Sequence, residues 1–395
     1  MFLELHMIQN FAPSNLNRDD TNAPKECTFG GSRRARISSQ CFKRAIRTYV
    51  RDQQLLPADR VSERTKRVVK AITDRLVNAG HPVEQARAVV RAALQGFAGK
   101  VDSDDRTSYL WFLGRAELDA LAAACQKHWS ELAAVGGTSE DTPDVQPSGK
   151  SAKDAKKQEK KAVPETVRKA LERCLDGGKA ADLALFGRML ADMPDKNIDA
   201  ACQVAHAIST HRVAPEFDFY TAVDDLNPDD TAGAGMMGTV EFNSACFYRY
   251  VNVDLRQLVQ NLDGDLELAR DTVSAFLRAA IGAIPTGKQN STAAQNPPSL
   301  ILAVLRRKGL WSLANAFVKP VFVSESGDLV EKSVEALLAY WDRVVSVYGG
   351  DGLDFGGAVT TIEQPINPNG VQGIPNVSTL IREVTARLEF TSPEG

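Results

Sequence analysis

The start of the chain contains a strand pattern followed by a helical pattern. Residues 2 to 8 alternate between apolar and polar side chains, which predicts a half-buried strand. Either Ser38 or Ser39 can cap a following helix by accepting an unpaired backbone N–H. The apolar positions of that helix recur at helical spacing and are predicted to face the core; they are Phe42, Ala45, Ile46 and Tyr49. The cations of another face are predicted to point into solvent; they are Lys43, Arg47 and Arg51, with Arg44 at the edge.

The middle of the chain combines a helical region with a low-complexity segment. Residues 58 to 132 are rich in Ala, Arg and Leu at helical spacing and predict a separate lobe, broken at 80–82 and 96–100. Residues 136 to 162 contain no aromatic residue and a single Val. Such a segment cannot bury enough apolar surface to offset its ordering entropy. We interpret it as a mobile insertion within a lobe that extends to residue 180.

The second half of the chain changes character and predicts an α+β body. A polar excursion at residues 212 to 240 is typical of an extended hairpin that projects from a sheet. Strands are predicted at 181–190, 202–210, 244–254 and 299–307. Helices are predicted at 165–176, at 266–283 before Pro285, and at 330–348 before Gly349 and Gly350.

Charge and cysteine usage narrow the class of protein. The chain has 47 Lys and Arg against 50 Asp and Glu, yet residues 27 to 51 carry seven cations and no carboxylate. Unpaired cations at this density predict a polyanionic partner, most commonly a nucleic-acid backbone. The six cysteines are scattered without a CxxC pair, which favours reduced thiols in the cytoplasm over disulfides or a zinc site. No apolar run predicts a membrane span, and the start of the chain lacks the basic region of a signal peptide.

Motifs spread over nearly the whole chain resemble those of one family. The chain is similar to the CasC-type backbone subunit of the type I-E CRISPR Cascade complex, in the RAMP superfamily. The segment that carries the resemblance most closely runs from Asn15 to Arg47 and contains NLNRDD, FGG, RRARISSQ and KRA-R in order. Further agreement comes from LFGRM (185–189), AHAIST (205–210), FYTAVDDL (219–226), FYRY (247–250), SLANAF (312–317) and YWDRV (340–344).

The resemblance implies an architecture and a role. It implies a ferredoxin-like, RNA-recognition-type palm, an inserted helical fingers lobe and a β-hairpin thumb. The corresponding ranges are 1–57, 181–211 and 241–395 for the palm, 58–180 for the fingers and 212–240 for the thumb. Copies of such a subunit assemble head to tail along a guide crRNA and present it to target DNA, together with other Cascade subunits. The family members of this type are not nucleases, so the resemblance implies no catalytic residue, no metal and no cofactor.

Guide-contacting residues follow from the same resemblance. A guide that stays free for base pairing must be held by its phosphates, which requires cations and small donors. The matching positions near the basic helix are Arg18, Lys25, Ser38, Gln40, Lys43, Arg44 and Arg47. The thumb and kink positions, where an aromatic can stack on a base, are Phe219, Tyr220, Thr221, Met189 and Met237. Lys288, within TGKQN, is a further candidate for a backbone contact, whereas Arg33 and Arg34 can also serve subunit contacts.

Two enzymatic alternatives stay open at this stage. The acidic pairs at 19–20, 224–225 and 229–230 suggest a metal-dependent RNA endonuclease of the same superfamily, although loop Asp pairs are mostly turn formers. An RNA cleavage assay with Mg²⁺ discriminates this class. A guide-processing endoribonuclease on the same fold would need a His–Tyr pair beside the basic helix, and none is evident in the sequence.

Overall fold

A large sheet flanked by helices forms the body of the protein in the computed structural model. The structure describes residues 1–97, 101–136, 163–222, 236–323, 328–363 and 365–390. Within them the strands are β1 Phe2–Ser14, β2 Glu26–Phe29, β3 Ser32–Ile37, β4 Ser62–Thr65, β5 Trp111–Gly114, β6 Cys202–Val204, β7 Ala207–Ser209, β8 Glu216–Ala222, β9 Met236–Asp254, β10 Leu300–Arg306, β11 Leu353–Thr360 and β12 Gln372–Gly373.

Twelve α-helices accompany these strands in the described part of the chain. They are α1 Ser39–Asp52, α2 Val68–Asn78, α3 Val83–Phe97, α4 Arg115–Lys127, α5 Trp129–Gly136, α6 Glu165–Arg173, α7 Ala181–Phe186, α8 Leu255–Asn261, α9 Leu266–Gly282, α10 Gln289–Thr292, α11 Leu329–Tyr348 and α12 Val377–Ala386. The predicted α+β composition is confirmed at this level, as are the helices that end before Pro285 and at Gly349.

The sheet has the order β12-β11-β10-β1-β9-β7-β3-β2, and β6 and β8 also pair with β9. All of its pairs are antiparallel except β11 with β12. Strand β1 lies at the centre, where Phe2 is opposite Asp254 of β9 on one side and Arg306 of β10 on the other. Strands β4 and β5 form a separate two-stranded sheet.

Both faces of β1 are buried, so the prediction of a half-buried strand is wrong. Leu3, Leu5 and Met7 share a core with residues of α1 and α9 on one face. Glu4 and His6 alternate with them and are fully buried under the other face. The alternation is real, but helices cover the sheet on both sides, and the polar side chains therefore point into a second core.

Polar residues of the second face have hydrogen-bond partners inside the protein. Glu4 accepts hydrogen bonds from the Tyr250 hydroxyl (2.6 Å) and the Trp311 amide (2.8 Å). His6 Nδ1 lies 2.9 Å from the Tyr248 hydroxyl. Burial raises the pKa of Glu4 and lowers the pKa of His6 to about 3, so this imidazole stays neutral. These groups hold the face together and are not exposed to any ligand.

Helix α11 covers this second face. Trp341, at its centre, is fully buried, and its indole N–H donates to the carbonyl of Asn369 at 2.9 Å. Tyr248 and Tyr250 lie beneath it with less than a tenth of their surface exposed. RNA-recognition modules stack bases on aromatic residues of an open sheet face. In this protein that face is closed, and any nucleic acid must be bound elsewhere.

A second hydrophobic core forms the helical lobe. It contains buried residues of α2, α3, α4, α5 and α6, together with Trp111 and Leu113 of β5. The predicted breaks agree with the ends of two helices, since α2 ends at Asn78 and α3 at Phe97. The low-complexity segment predicted at 136 to 162 lies outside the described residues from 137 onward.

The predicted strand at 181–190 is wrong, because its first part is helix α7. Gly187, with φ of 75°, ends the helix in a conformation that favours glycine. Five consecutive residues of α7, from 181 to 185, are buried. A short apolar run that is buried on all sides gives no periodicity with which to distinguish a helix from a strand. The other predicted strands are confirmed: β6 and β7 cover 202–210 in two pieces, and β9 and β10 contain the remaining two.

A buried ion pair links the segment after α7 to the lobe. Arg188 Nη1 lies 2.7 and 2.8 Å from the two carboxylate oxygens of Glu117, and both side chains are almost fully buried. Glu117 also accepts from the amides of Gly114 (2.8 Å) and Gly177 (2.7 Å). One carboxylate therefore caps α4 and fastens two chain segments to it.

We predict that Arg188→Ala destabilises the protein by about 3–5 kcal/mol, because it leaves the Glu117 charge buried without its partner. Urea unfolding followed by circular dichroism measures the change. Lys332→Ala is the control, since it breaks an ion pair with Glu335 (2.8 Å) whose side chains are about half exposed, and it should cost no more than about 1 kcal/mol. Equal losses for the two variants would contradict the prediction.

Candidate nucleic-acid interface

The N-terminus of α1 is held by two polar residues. Ser38 Oγ accepts the amide hydrogen bond of Cys41 at 3.3 Å, which confirms Ser38 as the helix cap. The Ser38 amide in turn donates to Asn17 Oδ1 at 2.8 Å. No acidic residue lies in the first turn of the helix. The loop that contains Asn17 is therefore fastened to a helix end that favours anions.

That loop closes on itself through Asp19. The carboxylate of Asp19 accepts from the Thr21 amide (2.9 Å), the Thr21 hydroxyl (2.8 Å) and the Ala23 amide (3.0 Å). The hydrogen bond from the Thr21 hydroxyl is the main cause that lowers the Asp19 pKa. Asp19 thus acts as a turn former. The turn leaves the Arg18 side chain exposed, and Nη1 donates to the amide oxygen of Asn22 at 3.3 Å.

Most of the seven cations between residues 27 and 51 have partners, so the premise that they are unpaired is wrong. Arg33 pairs with Glu26, and Arg51 pairs with Asp52. Arg36 donates to the Glu26 carbonyl at 3.3 Å. Within the described residues, Lys43 and Arg44 are the two cations of this run that have neither a hydrogen bond nor an ion pair.

Arg34 is a core residue. It is fully buried, and its guanidinium donates to the carbonyls of Ser209 (2.9 Å), Thr210 (2.9 Å) and Phe317 (2.6 Å). The expectation that Arg34 serves contacts between subunits is therefore wrong. Sequence reasoning missed this because an arginine beside other arginines gives no sign that backbone carbonyls from distant segments surround it.

Arg47 does not point freely into solvent, contrary to prediction. Its Nε lies 2.8 Å from Asp182 Oδ2, its Nη2 lies 3.4 Å from the Ser62 carbonyl, and its guanidinium lies 4.3 Å from the centre of the Phe112 ring. Asp182 also accepts the Ser62 amide at 2.9 Å. Arg47 thus joins α1 to α7 and to the small sheet of the lobe.

Several predicted residues converge around the start of α1. His206 Nδ1 accepts the Ser39 amide at 3.2 Å and lies 3.4 Å from Arg36 Nη1. Partial burial, and then the charges of Arg36 and Lys25, lower the pKa of His206. Gln40 is exposed in the first turn, and the Lys43 ammonium lies 5.6 Å from the ring centre of Phe186. The lowered pKa favours the neutral imidazole of His206 beside these cations.

A loop from the second half of the sequence packs against this surface. A side chain at Gly287 would lie 2.4 Å from the carbonyl oxygen of Leu16, so only glycine permits this approach. The next residue, Lys288, has φ of 53° and no ion pair among the residues that the structure describes. The loop therefore places Lys288 beside the segment that carries Arg18. We call the set of Arg18, Lys25, Gln40, Lys43, Arg44 and Lys288 the cationic surface.

The predicted hairpin is built from β8 and the first part of β9. Strand β9 continues from the hairpin into the centre of the sheet, where it pairs with β1. Residues 223–235, between the two hairpin strands, lie outside the described residues. Because β9 is continuous, the hairpin is an extension of the same ladder that forms the core.

The aromatic residues of the hairpin are divided between its two sides. Phe217 and Phe219 are 63% and 64% exposed and share one side, since they are two residues apart. Tyr220 lies opposite Gly238, and its ring occupies the space that a side chain there would fill. Phe219 and Tyr220 therefore do not act on the same side. Phe217 was not among the candidate residues of the sequence analysis. Its spacing of two residues from Phe219 indicates that both rings lie on the same side of a strand.

The remaining predicted residues lie near these elements. Thr221 is exposed on β8 and pairs with Met237 through the backbone; the side chain of Met237 lies outside the described residues. Met189 is 79% exposed and directly follows Arg188, whose pairing with Glu117 holds this segment in place. An exposed methionine on an anchored loop is suited to an apolar contact with a partner.

The described residues contain no group of three or more His, Cys, Asp or Glu side chains that could hold a metal ion. The acidic pairs at 224–225 and 229–230 fall outside those residues. Within the same described ranges, no helix has both the length and the apolar character needed to cross a bilayer.

Comparison with known proteins identifies the family. The family model of CT1975-like proteins matches residues 3–380. The chain belongs to this family of Cas proteins. No curated protein matched the chain.

Solved structures similar to this CT1975-like protein are chains of CRISPR RNA-guided surveillance complexes. One, from a pre-nicking complex, has 31% sequence identity and a TM-score of 0.83, and covers 98% of this chain and 99% of that chain. Another has 26% identity and a TM-score of 0.71, with 98% and 100% coverage. The resemblance to a Cas subunit that the motifs indicated is thus confirmed at the level of the Cas family.

We predict that Arg47→Ala lowers the stability of the CT1975-like protein by about 1–3 kcal/mol, because Asp182 loses its charged partner in a largely buried site. The salt dependence of RNA binding should stay unchanged, since Arg47 is already paired. Urea unfolding and RNA titrations at several salt concentrations measure the two effects. The double variant with Asp182→Ala should lose less than the sum of the two single variants, because both remove the same ion pair. A changed salt dependence at unchanged stability would show that Arg47 contacts phosphate.

Proposed function

We propose that this protein is a non-catalytic guide-binding subunit of a type I-E Cascade-like complex, similar to the CasC-type backbone protein. Copies assemble along the spacer of one crRNA in the cytoplasm and, with other Cascade subunits, present the guide to target DNA. The similarity to chains of CRISPR RNA-guided surveillance complexes over nearly the full length supports this role. The strand order β10-β1-β9-β7, with α1 and α9 on one face, supports a ferredoxin-like palm.

One observation carries the proposal: the cationic surface is made of exposed or half-exposed cations that have no ion pair among the described residues, together with the exposed amide side chain of Gln40. Three distant segments contribute to it, namely the loop before β2, the first turns of α1 and the loop that contains Lys288. Cations on rigid elements hold phosphates and leave base edges free. This is the arrangement that a guide needs in order to pair with another strand.

The closed sheet face supports the same conclusion by exclusion. The protein does not offer Tyr248 or Tyr250 to a base, since both are buried beneath α11. Exposed aromatic rings are found instead on the hairpin, at Phe217 and Phe219. We propose that the hairpin interrupts the stacking of the guide, whereas the cationic surface holds its backbone.

We predict that Lys43→Ala with Arg44→Ala weakens binding of guide-length single-stranded RNA without loss of folding. Each lost phosphate contact lowers the slope of log affinity against log salt by about 0.7, so the double variant should lower it by about 1.4. Titrations with labelled RNA between low and moderate salt measure the slope. The control is Lys127→Ala with Arg173→Ala, which removes two exposed cations without ion pairs from the lobe. An unchanged slope in the first variant would refute the assignment of the cationic surface.

A second prediction concerns the hairpin. Phe217→Ala with Phe219→Ala should reduce RNA affinity by about 1–3 kcal/mol per lost stacking contact and leave the salt slope unchanged. Chemical probing of the guide bound by assembled copies should show periodic reactive nucleotides in the wild type and a more even pattern in the variant. Tyr220→Phe keeps the ring over Gly238 and should behave as the wild type. Periodicity that survives in the double variant would exclude these two rings as the wedge.

A further inference from the structure

His206 lies in the short break between β6 and β7, both of which pair with β9. Strand β7 is antiparallel to the end of β3, where Ile37 is opposite Ala207. The residue before Ala207 therefore lies beside the residues that follow Ile37, which are the cap and the first residue of α1. The Ala205 amide donates to the Tyr250 carbonyl at 2.9 Å and holds the backbone on the sheet at this point. The sheet thus places the exposed side chain of His206 at the start of α1.

Both groups that contact Nδ1 of this imidazole are hydrogen-bond donors. They are the backbone amide of Ser39, at 3.2 Å, and the guanidinium nitrogen Nη1 of Arg36, at 3.4 Å. Neither an amide N–H nor a guanidinium has an acceptor to offer. Nδ1 must therefore present its lone pair to them, and the proton of the neutral ring is on Nε2.

The same contacts keep the ring of His206 neutral. A proton on Nδ1 would set an N–H group against the Ser39 amide and beside the charge of Arg36. Partial burial, and then the charges of Arg36 and Lys25, lower the pKa of His206, which acts in the same direction. The imidazole is therefore a neutral donor beside cations.

The donor at Nε2 has no partner in the described part of the chain. No hydrogen bond or ion pair reaches Nε2 there, and the side chain is exposed. Nε2 is the ring nitrogen farther from the backbone, whereas Nδ1 faces the start of the helix. Lys25 acts on the ring through its charge, and the exposed side chain of Gln40 follows directly after Ser39. Two members of the cationic surface therefore lie next to this donor.

We propose that His206 binds the nucleic acid directly and donates a hydrogen bond from Nε2 to an oxygen of the sugar–phosphate backbone. This inference rests on the proposed function for the identity of the ligand. The acceptor is either a phosphate oxygen or a ribose hydroxyl, since both accept from an N–H group. Hydrogen bonds are directional, whereas the attraction between a cation and a polyanion is not. The neutral donor therefore orients a backbone that the cationic surface attracts.

Two substitutions separate the roles of the two ring nitrogens. His206→Asn places Oδ1 where Nδ1 was, so the Ser39 amide keeps an acceptor, but the outer donor is lost. His206→Gln places an amide donor near the position of Nε2 and leaves the Ser39 amide without its acceptor. Binding of guide-length single-stranded RNA and the melting temperature are measured for both variants in the full chain.

We expect His206→Asn to lower the RNA affinity about tenfold per bound copy at an unchanged melting temperature, because one hydrogen bond to the backbone is lost. His206→Gln should bind RNA as the wild type does and melt at a lower temperature. A histidine that only caps the helix would instead leave His206→Asn with the affinity of the wild type. That result would overturn the inference.

The salt dependence and a control in the lobe test the neutral character of the contact. A neutral donor releases no counterion, so the slope of log affinity against log salt should stay unchanged in His206→Asn, whereas each lost cation lowers it by about 0.7. A lower slope would show that the imidazole binds as a cation and would overturn the assignment. His128→Asn removes a lobe histidine that contacts Glu131 at 2.9 Å and should leave RNA binding unchanged. An equal loss of affinity in this control would also overturn the inference.

A DNA strand of the same sequence identifies the acceptor. If the difference in affinity between the wild type and His206→Asn persists on DNA, the acceptor is a phosphate oxygen. If the difference is confined to RNA, the acceptor is the ribose 2′-hydroxyl, which DNA lacks.

Nitrogen NMR of the histidines gives a second, direct measurement. The chain has five histidines, and the signal that His206→Asn removes belongs to His206. We expect its proton on Nε2 in the free protein, and a shift of that Nε2 signal when RNA binds. A proton on Nδ1 would contradict the assignment of the donor and overturn the inference.

The outcome is separable from that of the proposed function. If Lys43→Ala with Arg44→Ala lowers the salt slope while His206→Asn keeps the wild-type affinity, the proposed function stands and this inference is refuted. If His206→Asn weakens RNA binding while the double variant leaves the slope unchanged, the cationic surface is wrongly assigned and the contact at His206 stands.

Discussion

Where Leu3–Ile8 of β1 pair with Tyr248–Val253 of β9, helices cover both sides of the sheet, so the polar side chains of these segments find their partners inside the protein. Glu4 and His6 are held by the hydroxyls of Tyr250 and Tyr248. Arg249 donates to Gln9 Oε1 (2.6 Å) and to the Ala280 carbonyl (2.7 Å), and its burial lowers its pKa to about 9. Removal of one partner would leave a buried group unsatisfied, which costs more than the bond itself contributes. These buried contacts restrict the pairing of β1 with β9 to one register. The hairpin continues from β9, so its position is set by the same register.

The enclosure of the sheet decides where a ligand can bind. Because α11 closes one face and α1 and α9 close the other, the exposed functional groups lie at the ends and edges of the sheet. The cationic surface forms where the loop before β2, the start of α1 and the loop at Lys288 meet. The hairpin extends from β9 beyond the core and carries its phenylalanines into solvent. A single continuous strand thus connects the buried ladder to the exposed aromatic side chains, which gives the hairpin a rigid base.

Arginine serves two opposite purposes in this protein. Three arginines form hydrogen bonds or ion pairs with carbonyls and carboxylates and so hold distant segments together: Arg34, Arg47 and Arg188. Lys43 and Arg44 have no hydrogen bond or ion pair among the residues that the structure describes, and we propose that they contact an external anion. The cost of removing the first group from water is offset by hydrogen bonds and ion pairs of good geometry inside the protein. The cations of the second group stay hydrated until a polyanion replaces the water around them. The release of counterions from the polyanion then contributes most of the binding free energy. Net charge alone, which is nearly zero, distinguishes neither group.

Local sequence determined the elements that have a regular spacing of apolar residues or a residue that marks their start or end. A cap at Ser38 or Ser39, the apolar stripe of Phe42 and Ile46, the end of α9 before Pro285 and the polar hairpin segment were all predictable from neighbouring residues. The motifs also indicated the Cas family, which the family model confirms. Tertiary structure decided what neighbours cannot report: that both faces of β1 are buried, that residues 181–186 are helical, that Arg34 and Arg47 are paired, and that Tyr220 packs over Gly238. The physical reason is that the burial of a side chain and its partners depend on segments hundreds of residues away. The sequence shows that a side chain is a cation. Only folding, which brings carbonyls and carboxylates to it, decides whether that cation is free to bind an external anion.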